Sequence, residues 1–279
     1  DTLSSFVLKT GKHHFGLLNT FIDPEGQASL AIKHSGEVLP LNPPKEVCIE
    51  TLAHETLSCE SCHTSWAPQC IGCHNEFDRG QKGYDLLKDI ETDGTWVEFV
   101  GRFLAEEPTL GIRSHPDQSK TVVTVTPGMV MTIDLGEFEK DKTIFHRLFA
   151  PISSHTTSTT GRGCKSCHNE SLALGYGRGK LDYVIKDGKG TWTFIPRYAD
   201  NENDGLPEDA WIDFLATRTG TVSTRNDVRP FTLEEQRMIL TVGACLTCHE
   251  ENDEVMAESL YDFDGVLASR SDKCILPSW

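Results

Sequence analysis

The sequence has no run of 18 or more apolar residues, which excludes a transmembrane helix. It is short of positive charge: 26 Lys and Arg stand against 42 Asp and Glu, a formal net charge of −16. A chain of that sign repels phosphate, which argues against nucleic acid and anionic membrane surfaces as partners. Apolar residues are scarce as well, at 38% with glycine left out of the count, while charged residues stand at an ordinary 24%. Long-range disorder is therefore disfavoured, yet the side chains undersupply a core. No repeat of fixed period is present. The numbering opens at Asp1 with neither a positive n-region nor an apolar h-region, which fits a mature chain freed of its signal peptide.

Cysteine, by contrast, is abundant. Ten are too many for an ordinary cytosolic chain and too few for a small disulfide-dense scaffold. Eight fall into four pentads Cys-x-x-Cys-His: Cys59, Cys62 and His63; Cys70, Cys73 and His74; Cys164, Cys167 and His168; Cys245, Cys248 and His249. This is the spacing of c-type haem attachment, and at these Cys and His frequencies chance would supply on the order of 0.01 such pentads. Two thiols one helical turn apart add to the two porphyrin vinyl groups, and the adjacent imidazole is then held at the iron as proximal ligand. Four haem c groups are the expected cofactors.

Other uses of Cys-x-x-Cys fit less well. Zinc ribbons pair two knuckles across a spacer of roughly 15–20 residues and need no His after the second Cys. Here seven residues separate Cys62 from Cys70, and the other pairs are far apart. A thioredoxin-like dithiol uses one such motif, not four each followed by His.

The expected fold is an irregular, haem-packed multihaem cytochrome c with few short helices and β-hairpins and a large loop fraction. Residues 1–47 read as an N-terminal arm with a Pro-rich exit at Pro40, Pro43 and Pro44. Residues 48–279 read as a tetrahaem domain with a lobe division near residue 140. Because His63 and His74 are eleven positions apart, their porphyrins are expected in or near contact. Thr95–Val100 and Thr121–Val125 read as strands, with Pro127-Gly128 as a turn, and Leu181–Ile185 with Thr191–Ile195 as a hairpin. Thr232 and Glu235 form a capping box for a helix over Thr232–Val242. Ile144–Phe149 reads as a short helix stopped before Pro151.

Function turns on the sixth ligand of each iron. Seven histidines lie outside the pentads, and four would make every haem bis-histidine, closing the iron and favouring electron transfer over substrate binding. His146 and His155, upstream of the third pentad, are candidates for the second or third haem. His54 is too close to swing over its own haem but can cap its neighbour. The adjacent pair His13 and His14 is expected to supply another ligand, whereas His34 and His115 read as exposed. Met129, Met131, Met238 and Met256 are second choices.

The stretches His54–His63, Trp66–His74, Gly161–His168 and Arg229–Glu235 resemble multihaem c-type cytochromes of anaerobic bacteria and archaea. More narrowly, a tetrahaem chain of this size looks like the subunits of extracellular cytochrome filaments. The resemblance implies attachment of haem outside the cytoplasm, an extracellular or cell-surface location with the periplasm as the alternative, and homopolymerisation with haems stacked closely across subunits. In that family a His of one subunit commonly ligates a haem in the next, which makes His13 or His14 the natural donor. Redox proteins or extracellular acceptors are the other implied partners. In such a compartment the two remaining cysteines, Cys48 and Cys274, can pair. The loop closed would exceed 200 residues and stabilise by about 3–5 kcal/mol in the chain-entropy picture. Two unpaired buried thiols are the alternative.

Two other classes compete with a filament subunit. A soluble periplasmic shuttle would satisfy all four haems within one chain and dock its acidic face on basic partners. A multihaem reductase would need an open iron, which seven spare histidines and the lack of any Cys-x-x-Cys-Lys variant argue against. The chain is thus expected to be an electron carrier and not an enzyme. Asp200, Glu202, Asp204 and Gly205 imitate a calcium loop, but position twelve is Trp211, so a solvated turn is the better reading.

Overall fold

The computed structural model describes all residues except 1–3, 7–13, 43–51, 137, 155 and 219–224. It divides into two compact units, Asp1–Glu55 and Thr56–Trp279. Strands supply 39% of the structure and helices 17%, so the chain is not helix-dominated.

The first unit holds a two-stranded sheet of β1 (Ser4–Phe6) and β2 (His14–Gly16) and a three-stranded meander of β3 (Thr20–Ile22), β4 (Ala28–Ala31) and β5 (Val38–Pro40). A single 3-10 turn, Leu52–His54, follows.

All four pentads lie in the second unit. Its strands are β6 (Ala67–Cys70), β7 (Cys73–Asp85), β8 (Ile90–Val100), β9 (Phe103–Glu106), β10 (Thr109–Ser114), β11 (Lys120–Asp134), β12 (Thr143–Pro151), β13 (Gly179–Lys186), β14 (Lys189–Pro196) and β15 (Val228–Arg229). Six of them form the main sheet, in order β15-β10-β11-β7-β8 with β12 also on β11. Every pairing is antiparallel except β7 with β11, where Cys73–Glu76 runs beside Met131–Asp134. The helices are α1 (Cys59–His63), α2 (Lys165–His168), α3 (Ser171–Leu174), α4 (Leu233–Cys245), α5 (Glu254–Ser259) and α6 (Phe263–Ser269).

The apolar core packs β10, β11 and β12 against α3, β14 and α4 through Leu110, Val125, Phe149, Leu174, Trp192, Trp211 and Leu240. Trp192 and Trp211 are thus core residues, whereas Trp66 and Trp96 are exposed. The capping box of α4 forms as expected: Glu235 N–H donates to Thr232 Oγ1, and Thr232 N–H donates to the Glu235 carboxylate at 2.7 Å. The hairpin β13–β14 also forms, with a tighter turn at Asp187-Gly188.

Two expectations are corrected. Ile144–Phe149 is strand β12, not a helix. Its period is two: Arg147 and Phe149 are buried on one face while His146 is exposed on the other. Pro127-Gly128 is not a turn either, because β11 continues through it and the β12 register shifts between Thr126 and Met129. A bulge absorbs the residues that read as a chain reversal.

Arg147 engages one carboxylate of the acidic loop at 200–205. Its guanidinium, fully buried, donates to Asp204 Oδ2 at 2.6 Å and Oδ1 at 2.7 Å. It also donates to the carbonyls of Leu206, Pro207, Glu208 and Ala210. The carboxylate that imitated a metal ligand already serves a cation.

Candidate haem-attachment sites

Three pentads sit on helical turns, which is what brings two thiols and an imidazole to one side of the chain. The first is α1, capped by the Ser58 hydroxyl accepting from Ser61 N–H. In the third and fourth, His168 N–H and His249 N–H each donate at 2.9 Å to the carbonyl of the first Cys of the motif. The second pentad differs. Cys70 ends β6 and Cys73 opens β7, so Cys73 and His74 point to opposite faces of the sheet. There His74 stacks on Phe99, with ring centroids 6.0 Å apart.

The imidazoles of the helical pentads are oriented through one nitrogen. His63 Nδ1 lies 3.0 Å from Ser158 O, and His168 Nδ1 lies 2.9 Å from Ile239 O. A carbonyl only accepts, so Nδ1 carries a proton and Nε2 is the nitrogen left to face a metal. His249 Nδ1 is 3.4 Å from Asp253 Oδ2, four residues on. An acceptor on the far ring nitrogen is what a metal-bound histidine requires, since it fixes both the tautomer and the ring direction. Gly161 lies against the His63 ring, where an added Cβ would make ordinary contact 3.8 Å from Nε2.

Burial holds the thiols of Cys73, Cys164, Cys167 and Cys245 protonated. Burial, then Cys70, pushes Cys73 up to about 11. Burial and Glu251 raise Cys164, while at Cys167 burial outweighs the Arg162 guanidinium beside it. Burial and then Cys274 raise Cys245, and Tyr183 is raised by burial and then by Cys274, Cys245 and Cys248. Cys274 therefore shares a corner with the fourth pentad. Its expected partner Cys48 lies outside the described residues.

Backbone and side-chain hydrogen bonds join three of the pentads into one group. Arg162 N–H donates to Cys62 O at 2.9 Å, and Cys164 is only two residues further on, so the first and third motifs adjoin. Lys165 N–H donates to Glu251 Oε1 at 2.8 Å, and the Asn169 amide donates to Gly243 O at 3.0 Å, which joins the third motif to the fourth. Gly243 is needed there because a Cβ would collide with the His168 carbonyl. The second pentad stands apart. Leu57 bridges Val122 and Cys73 pairs with Met131, and nine residues of strand between those points span roughly 30 Å. The contact expected between the first two sites does not follow from their closeness in sequence, because Ala67–Cys70 between them is extended.

Of the sixth-ligand candidates, His146 occupies the outer face of β12. His54 ends the 3-10 turn of the first unit, and burial holds its ring below the ordinary value and hence neutral. His14 lies in β2, while His13 and His155 fall outside the described residues. His34 is exposed, and His115 Nε2 is engaged with Thr121 Oγ1 at 2.8 Å. Met131 stands in β11 beside Cys73, Met256 is buried and Met238 exposed. Among the described residues, no three His, Cys, Asp or Glu side chains converge as a protein-only metal site, and no helix is long and apolar enough to cross a membrane.

Sequence reading missed the acceptors Ser158 O and Ile239 O, since any residue carries a carbonyl. Asp253, four residues after His249, was legible as an i,i+4 partner. Set beside protein-family models, curated proteins and solved structures, the chain matches none of them.

Proposed function

We propose that the chain is a tetrahaem c-type cytochrome that conducts electrons between haems as a subunit of an extracellular filament, with no substrate transformed. The observation that carries the reading is the combination of four Cys-x-x-Cys-His motifs with imidazoles held by Nδ1 acceptors at His63, His168 and His249. Haem would supply the one-electron redox centres. The thiols Cys59, Cys62, Cys70, Cys73, Cys164, Cys167, Cys245 and Cys248 would tether it, and His63, His74, His168 and His249 would take the proximal positions. The protein then fixes spacing, ligand direction and water exclusion.

The thin apolar supply fits the same reading, because each macrocycle replaces core that the side chains lack. Eight propionates would add to the formal charge of −16, which favours basic redox partners and disfavours phosphate.

The test is the protein secreted by a host competent in cytochrome c maturation. Mass spectrometry should find four haems per chain, and the spectra should be low-spin. Negative-stain microscopy should show filaments. Monodisperse four-haem particles at high concentration would overturn the assembly and leave a soluble shuttle. Carbon monoxide binding to the reduced protein would reopen the enzyme reading.

A further inference from the structure

We infer that copies of the chain join head to tail, with the tip of the β7–β8 hairpin of one seated on the outer face of the β13–β14 hairpin of the next. The inference rests on the filament reading above and names the contact that would propagate it. β11 pairs with β7 only over Cys73–Glu76. Beyond Glu76, β7 and β8 pair with each other alone and run on as a ribbon of roughly 25 Å. Phe138 props its base against Phe77 and Trp96. A two-stranded ribbon by itself in water is marginally stable at best, and an unpaired edge invites another chain. At the tip, Leu86 and Leu87 are 86% and 98% exposed, with Tyr84 and Ile90 exposed beside them. The turn itself does not call for two leucines, because Asp85 Oδ1 accepts only from the backbone N–H groups of Leu87 and Lys88. Large apolar side chains gathered at the end of a ribbon are what a partner surface would cover.

Charge selects that partner. Residues 73–100 hold seven Asp and Glu against three Lys and Arg. Residues 178–197, which span β13 and β14, reverse the balance with five Lys and Arg against two Asp, in a chain whose net charge is −16. The register of that hairpin divides its faces. Leu181, Tyr183, Trp192 and Phe194 turn inward, where Trp192 Nε1 donates to Leu240 O and the Tyr183 hydroxyl to Ile275 O. The outer face carries Lys180, Lys186 and Lys189 around Val184 and Ile195, all of them exposed. An apolar patch rimmed by lysines complements an acidic ribbon tipped with leucines, whereas two acidic surfaces would repel each other.

The two surfaces lie on different sides of the second unit. β8 is one edge of the main sheet. α3 touches both β10 and β13, and Thr109 Oγ1 of β10 donates to Leu172 O of α3, which sets the basic hairpin on the β10 side. A contact between unlike patches is heterologous, so each copy that joins leaves one patch open for another, and an open filament grows wherever the rotation does not close a ring.

The experiment uses the secreted full chain with its haems. Glu91→Lys/Asp93→Lys reverses the ribbon, and Lys186→Glu/Lys189→Glu reverses the receiving face. Each variant alone should form no filaments in negative stain, with haem count and circular dichroism as in the unaltered chain. Mixed one to one, the two should form filaments together, because each reversed ribbon then meets a reversed face and each native ribbon a native face. Filaments from either variant alone, or none from the mixture, would overturn the contact while leaving the filament reading in place. An unaltered chain that stays monodisperse would overturn both, with the haem count read separately. Should a variant fail to fold, carbodiimide coupling of unaltered filaments grown from equal parts of heavy-nitrogen and light-nitrogen chain decides. Mixed-label peptides joining Lys186 or Lys189 to Asp89, Glu91 or Asp93 are expected, and their absence from the cross-links between subunits refutes the contact.

Discussion

The heaviest single side-chain loss is expected at Arg147. Replacing it by Met keeps the buried stem and removes a guanidinium that serves one carboxylate and four carbonyls. Arg147 is fully buried and Asp204 is only 21% exposed. Breaking a buried ion pair by removing one partner costs about 3–5 kcal/mol, because the other is left without compensation. The four carbonyls act in the same direction, since hydrogen bonds to a charged donor contribute about 1.5–3 kcal/mol each and are not additive. We therefore expect a loss of about 3–5 kcal/mol, or a fall in Tm of roughly 6–20 °C for a unit of this size. Guanidinium chloride denaturation of the full chain, followed by far-ultraviolet circular dichroism, measures it as a lower midpoint at unchanged slope. Arg147→Met/Asp204→Leu should recover part of the loss, with a coupling of 0.5–3 kcal/mol in the double-mutant cycle. A loss under about 1 kcal/mol, or strict additivity of the two changes, would refute the claim that this pair braces the loop against β12.

Further expectations concern acid stability and the fourth site. Glu235 is pushed up by burial but pulled lower overall by the Arg229 fork and the Thr232 backbone amide. Its contribution is full above the ordinary carboxylate value of about 4.3 and disappears as the pH falls through its lower folded value. Glu235→Gln should lose about 1 kcal/mol at neutral pH, after allowing for its partial exposure, and little near pH 2; an equal loss at both pH values would contradict this. Asp253→Ala removes the acceptor from His249 and should raise the potential of one haem while the others stay in place, as read by spectroelectrochemistry. Four unmoved potentials would show that this contact does not tune the site.

Legibility in the sequence followed the range of each interaction. The pentads, the capping box at Thr232 and Glu235, and the β13–β14 hairpin are local, and each could be read from neighbouring residues. Ile144–Phe149 misled because a buried Arg147 looks like a surface residue until the loop at 204–210 is placed beside it. Pro127-Gly128 misled because a bulge and a turn share the same residues. The Nδ1 acceptors were illegible in principle: Ser158 O and Ile239 O are backbone groups 95 and 71 residues from their histidines. The grouping of the first, third and fourth pentads has the same origin, since it hangs on contacts such as that of Arg162 N–H with Cys62 O.

The long reach of those contacts sets a timetable. Ser158, whose carbonyl fixes His63, and β11, which backs both of the first two motifs, lie well downstream of His74 in the chain. Ser158 follows it by more than 80 residues. Until that stretch is in place, Cys59, Cys62, Cys70 and Cys73 are on a segment without its scaffold. The third motif begins six residues after Ser158, so its thiols emerge almost together with the lock on His63. The fold can close over the first two motifs only once the chain as far as Ser158 is present, with the third motif close behind it.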